Sequence, residues 1–245
     1  MVRIKIFGER NTGTNYLENI LELNLNVILL PSSAAEIPFL FKFEWYKNLF
    51  FLLTENQNLG WKHSRPNKEI VINHLKHDSQ LLIFFLVKNP YSFLLSLHKR
   101  PYHNESKKGL KFQNFLSDKW ETVSREKAIK AFDNPIEMWN DKVKSYLEIL
   151  NLFPNQVQLI RYEDLIENPN KILELISTNF NVEFKQSEFV NYETSTKLDN
   201  KIFSDYAEYY IQERWKEKLT ISDINFINKF LDKDIMNLLD YKYLP

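Results

Sequence analysis

Residues Leu81–Val87 read L-L-I-F-F-L-V, an apolar run with no polar interruption. A strand with one wet face alternates apolar and polar residues. An unbroken run this short marks a strand covered on both faces, as in the middle of a parallel sheet. Parallel neighbours need crossover connections, usually helices, and the flanking sequence supplies that alternation. Residues 3–7 (R-I-K-I-F) read as a first strand and 27–30 as a second, ended by Pro31-Ser32-Ser33. Residues 59–63 read as a third, stopped by Pro66, and Val157–Arg161 (V-Q-L-I-R) as another. Helical spacing runs through 14–25, with Tyr16, Leu17, Ile20, Leu21 and Leu23. Further helices are expected over 91–99, 136–152, 170–179 and 222–239, the last opened by Ser222-Asp223. The alternation predicts an α/β fold, a doubly wound parallel sheet of about five strands flanked by helices, with a helical C-terminal part. Residues 1–245 read as one domain, in which the polar stretch 100–127 is an insertion or lid.

A chain of 245 residues can bury a core without covalent staples. Cysteine is absent, which excludes disulfides, thiolate zinc sites and a cysteine nucleophile. The five histidines show no HExxH-like spacing. Lys+Arg and Asp+Glu both number 32, so neither nucleic acid nor an anionic membrane is expected as a partner, while a local basic pocket stays open. The start of the chain runs from a strand straight into a charged loop, unlike a signal peptide. The greasiest stretch, 37–53, is interrupted by Lys42, Glu44 and Lys47 and falls short of a transmembrane segment. A soluble, cytoplasmic protein is the expectation. The aromatics between Phe39 and Phe51 either line an acceptor site or, as is commoner, pack into the core.

Glycine is scarce: Gly8, Gly13, Gly60 and Gly109 are the whole supply. Two of the four bracket one short loop, which points to a backbone requirement there, either positive φ or close approach. Strand, then Gly8-Glu9-Arg10-Asn11-Thr12-Gly13-Thr14-Asn15, then helix is the layout of a P-loop, whose amides and helix N-terminus cradle an anion. A nucleotide triphosphatase places Lys and then Ser/Thr after the second glycine, for phosphate and for Mg²⁺. This chain has Thr14 and Asn15. The anion site is kept and the usual metal ligand is not.

Four segments, in order, resemble the sulfotransferases that use 3′-phosphoadenosine 5′-phosphosulfate (PAPS). GERNTGTNYL from Gly8 resembles the loop that holds the 5′-phosphosulfate. VKNPYSFLLSL from Val87 resembles the 3′-phosphate motif, with Lys88 and Ser96 at the spacing of its basic residue and serine. IRYEDLIENP from Ile160 and the end of the chain, with RWKEKLT from Arg214 and a closing LLDYKY, resemble two further family segments. The resemblance implies a P-loop-type fold, PAPS as sulfuryl donor, an acceptor hydroxyl, foremost on a carbohydrate, and no metal requirement. It also implies donor binding by Arg10, Asn11, Thr12, Gly13, Thr14, Asn15, Lys88 and Ser96. The donor carries anions at both ends, and the ends of two strands supply two anion sites.

The sequence departs from the family at Asn11, where a Lys or Arg usually faces the leaving phosphate. Arg10, one position earlier, or Lys62 is left for that task. The family's Lys-x-His segment, which holds the base, is approximated by Trp61-Lys62-His63, and the resemblance makes His63 the base, with Arg10 and Lys62 as catalytic cations. A strand-end histidine bonded to backbone is the bland alternative for His63. His74, His77, His98 and His103 read as surface or helix residues. Arg161-Tyr162-Glu163-Asp164 is assigned to architecture. Lys197 and Lys201 match a basic stretch near the 3′-phosphate only loosely. Two rivals stay open: a P-loop kinase or nucleotide triphosphatase, and a non-catalytic module of the same fold that binds a nucleotide or glycan.

Overall fold

The computed structural model describes residues 1–34, 39–194 and 202–245, so Lys197 and Lys201 lie outside the described residues. The strands are β1 (Val2–Gly8), β2 (Val27–Leu29), β3 (Leu81–Val87), β4 (Trp120–Glu121), β5 (Ala131–Phe132) and β6 (Val157–Arg161). The helices are α1 (Thr14–Asn24), α2 (Glu44–Asn58), α3 (Lys68–His77), α4 (Pro90–Lys99), α5 (Phe112–Ser117) and α6 (Pro135–Leu152). Then follow α7 (Tyr162–Glu167), α8 (Pro169–Phe180), α9 (Phe203–Ile211), α10 (Ile221–Phe230) and α11 (Lys233–Leu238).

The main sheet is parallel, in the order β2-β1-β3-β6. Strand β3 lies inside it and every one of its residues is buried. Alternate side chains enter opposite layers, as the pleat requires. Leu81, Ile83, Phe85 and Val87 join the core that α3, α4, α6 and the C-terminal helices cover. Leu82, Phe84 and Leu86 join the core of α1 and α8. Both faces of the sheet are therefore covered. Among the described residues, no helix is long and apolar enough to cross a membrane.

The expected strand over 59–63 does not form, and the sheet has four strands among the described residues. Leu59 and Gly60 both take positive φ, at 62° and 90°, which extended backbone cannot accommodate. The segment then turns, with Ser64 N–H donating to Trp61 O at 3.0 Å. Among the described residues its one backbone–backbone bond to β1 is Gly8 N–H to Lys62 O at 2.9 Å. The helix expected over 222–239 is two helices, because Asp232 Oδ1 accepts from the N–H groups of Asp234 and Ile235 and starts α11 afresh. Its predecessor α10 starts at Thr220, whose side chain forms a capping box with Asp223.

Within 100–127, Phe115, Leu116 and Trp120 are fully buried in the same core as α4 and α6. Strand β4 pairs with β5 in a small antiparallel ribbon. The aromatics from Phe39 onward divide. Phe51 is buried, while Phe39, Phe43 and Trp45 are exposed and contact one another. Core packing, the commoner fate, is not theirs.

Candidate active site

The chain crosses from β1 to β2 on one side of the sheet and then to β3 on the other. The carboxyl ends of β1 and β3 therefore flank the point where the winding reverses, which is where open α/β sheets take their ligands. The glycine loop leaves β1 there. Thr12 N–H and Oγ1 both donate to Glu9 O, at 3.3 and 2.6 Å, which closes a tight turn. Asn11 and Gly13 follow with φ of 66° and 90°. A Cβ on Gly13 would lie 2.8 Å from the Tyr162 ring, and one on Gly8 would lie 2.6 Å from Leu86 O. Positive φ and close packing thus account for the two glycines. Gly13 caps α1 without a side-chain acceptor, so the first amides of the helix remain for an anion.

A cavity of about 340 Å³ opens on this loop, lined by Asn11, Gly13, Thr14 and Asn15, with Arg10 and His63 beside them. A second, of about 260 Å³, is lined by Ser92, Ser96 and Arg100 from the α4 side. Asn11, Arg100, Tyr206 and Tyr210 line both. Asn11 also spans them by bonding, since its Nδ2 donates to Ser96 O at 3.4 Å and its Oδ1 accepts from Tyr102 OH at 2.9 Å.

His63 Nδ1 lies 2.6 Å from Gly8 O. A carbonyl only accepts, so Nδ1 carries the proton and Nε2 keeps its lone pair. Burial, then the charges of Arg10 and Lys62, hold the imidazole well below its ordinary 6.5. His63 is neutral at pH 7, with a fixed tautomer.

Arg10 lines the first cavity but is firmly held. NH1 lies 3.3 Å from Glu9 and 3.2 Å from Glu126, and NH2 donates to His103 Nδ1 at 3.1 Å. Its guanidinium sits 4.6 Å over the Trp61 ring, whose ring also carries Arg125 at 4.3 Å. Lys62 Nζ donates to Glu18 at 2.6 Å and to Asn15 Oδ1. It lines neither cavity and orders the first turn of α1. Lys88 and Ser96 meet as their spacing implies, Nζ donating to Oγ at 3.0 Å. The Lys88 ammonium is enclosed, 3.8 Å from the Tyr210 ring centre and 4.7 Å from that of Tyr162.

Sequence reasoning missed the group behind the loop. Glu9, Glu126 and Lys142 are buried. Lys142 Nζ donates to Glu126 at 2.7 Å, to His63 O at 2.9 Å and to Glu9. With Arg10 this is a buried set of two cations and two carboxylates. The cations hold both carboxyl groups below the ordinary carboxylate range against the opposing effect of burial. Glu126 comes from the 100–127 stretch, which its polarity marks as an insertion or lid. His103, read as a surface or helix residue, bonds to Arg10. No local pattern announces these residues, since their partners lie as far as 133 positions away.

The Arg161–Asp164 segment ties elements together. Glu163 accepts from Asn89 N–H at 3.0 Å and from Tyr241 OH at 2.8 Å. Burial raises its pKa.

No protein-family model matches the chain, and no curated protein sequence matches it. Solved structures do. The structure of mouse sulfotransferase SULT7A1 complexed with PAP aligns with a TM-score of 0.54 at 16% identity, over 98% of this chain and 85% of that one. The chain has the sulfotransferase fold. A sulfotransferase from Alicyclobacillus acidocaldarius aligns at TM-score 0.49 and 12% identity, over 99% of this chain and 97% of that one. The sulfotransferase domain of the Synechococcus PCC 7002 olefin synthase aligns at 0.49 and 15%, over 100% and 95%.

Proposed function

We propose that this protein is a PAPS-dependent sulfotransferase that moves a sulfuryl group to an acceptor hydroxyl, with carbohydrates as the first acceptor class on the strength of the family resemblance. The observation that carries the reading is the pairing of two candidate anion sites at one reversal point on this fold. One is the glycine loop with the open N-terminus of α1. The other is Lys88 with Ser96, and the two adjoining cavities meet at Asn11. A donor with a phosphosulfate at one end and a 3′-phosphate at the other needs two separate anion sites. The bound product of the mouse structure, PAP, has the same two phosphate ends. The donor set fits: backbone amides, hydroxyls and cations bind phosphate oxygens without a metal.

In this reading Asn11, Thr12, Gly13, Thr14 and Asn15 frame the 5′ end. His63 Nε2 takes the acceptor proton while the acceptor oxygen bonds to sulfur. The bond from sulfur to the phosphate oxygen breaks, and adenosine 3′,5′-bisphosphate leaves with the electron pair. Arg10 is balanced by two carboxylates, so it serves as a fixed N–H donor to the equatorial oxygens, together with Thr14 and the loop amides. Lys62 acts through Asn15. A loose transition state makes positioning and electrostatics the main contributions, by analogy with phosphoryl transfer.

The test is a labelled-PAPS screen against glycans, phenols and lipids, run with EDTA. Transfer of label that survives chelation is expected, because Thr14 and Asn15 stand where a Mg²⁺-dependent P-loop has Lys and Ser/Thr. Mg²⁺-dependent turnover of ATP in place of transfer would instead establish the kinase rival. PAPS binding with no transfer to any acceptor would establish a non-catalytic module.

A further inference from the structure

We propose that Arg100 binds the donor directly, its guanidinium meeting the 3′-phosphate in front of the enclosed Lys88. The inference rests on the PAPS reading and adds a residue that the sequence motifs do not contain.

The cations around the site differ in what already holds them. Arg10 is taken up by Glu9, Glu126 and His103. Lys62 is taken up by Glu18. Lys88 is bonded to Ser96, packed against two tyrosine rings, 1% exposed, and lines neither cavity. Arg100 is the contrary case. Its side chain has no hydrogen bond, ion pair or ring partner among the described residues, and it lines both cavities. An unpaired guanidinium in a cavity wall is a ready fork for a phosphate, which it binds through two parallel N–H donors.

The position selects the 3′ end. Ser92, Ser96 and Arg100 recur every four residues, so they follow one face at the end of α4, and all three line the second cavity. Arg100 N–H closes the helix on Ser96 O at 3.3 Å, which seats the guanidinium one turn past the serine assigned to the phosphate. The same cavity adds His98, Lys99 and Lys218 against a single acid, Asp205. That balance favours a dianionic phosphate monoester over a neutral or cationic group. Lys88 then contributes from behind Ser96, by orienting its hydroxyl and through its charge.

Calorimetry with adenosine 3′,5′-bisphosphate and with AMP tests this on the full chain. The wild type is expected to bind the bisphosphate more tightly. Arg100→Ala should weaken the bisphosphate by roughly ten- to a hundredfold, the range of a charge-assisted contact, and change AMP by less than about twofold. Arg100→Lys should recover part of the loss. The thermal midpoint should stay near that of the wild type, because no partner is left unpaired. If the wild type binds the bisphosphate and Arg100→Ala leaves its preference over AMP intact, or weakens both nucleotides equally, the assignment of Arg100 fails while the donor reading stands. If the wild type binds neither nucleotide, the donor reading fails and the assignment falls with it.

Discussion

His63 shows how a single side chain is prepared by its surroundings. Its Nδ1–H is spent on Gly8 O at 2.6 Å, and burial with two nearby cations keeps the ring neutral. A base of this kind is unprotonated across the physiological range. The acidic limb of kcat/KM should accordingly lie well below pH 6.5, as a pH–rate profile would show. His63→Ala and His63→Gln should each lower kcat by roughly 10²–10⁴-fold with little change in nucleotide affinity. Near-normal kcat in a folded His63→Gln variant would remove His63 from the chemistry. Stability is linked to the same shift. Below pH 6.5 the unfolded histidine takes up a proton that the folded one refuses, so stability is lost as pH falls through that value. His103 is also lowered, chiefly by burial and then by Arg10, and adds to the same loss. His63→Gln should flatten part of the decline in melting temperature between pH 7 and 5.5.

At the scale of elements, the loop and α1 work as one piece. Thr12 folds the loop back on Glu9, Gly13 turns it through positive φ, and α1 begins with its amides open. Tyr162, at the start of α7, packs against Gly13 so closely that a Cβ would sit 2.8 Å from its ring. Gly13→Ala thus meets two penalties. The left-handed backbone costs an alanine about 1–2 kcal/mol, and either the ring or the loop must also shift. Denaturant titration should show a loss of at least about 1–2 kcal/mol. Affinity for adenosine 3′,5′-bisphosphate should fall as well, since the amides proposed to hold the phosphate move with the loop. Unchanged binding would mean that the loop is not the phosphate cradle.

Across the whole molecule, Lys142 joins parts that are distant in sequence. From the middle of α6 it holds the glycine loop through Glu9, the 100–127 stretch through Glu126, and His63 through its backbone carbonyl. Removing one partner from a buried charged set leaves the others unbalanced, at a cost of about 3–5 kcal/mol. Lys142→Met should therefore lower stability strongly. Adding Glu126→Gln, which removes one of the two opposing charges, should restore part of it. A double variant no more stable than Lys142→Met would mean that these charges do not act as a set. Chemical denaturation of the wild type and the two variants decides between these outcomes.

The local signals that survive into the structure are those that need no distant partner. The apolar run of β3 is read at its observed bounds, and so is β6, because a doubly covered strand and its turn residues are written in consecutive positions. The glycine loop and the Lys88–Ser96 pair are legible for the same reason, since their spacing fixes their geometry once strand and helix are placed. The strand misread over 59–63 fails at Leu59, because a leucine in the left-handed region leaves no compositional trace. Lys142, Glu126 and His103 were invisible for a different reason. A charged residue in a polar stretch looks solvated until a partner from elsewhere in the chain arrives to satisfy it, and only the packed structure brings that partner. The sequence alone determined the layered fold, the glycine loop after β1 and the pairing of Lys88 with Ser96. Tertiary structure decided which cations are already neutralised, which one is enclosed, and that Arg100 is left facing the cavities.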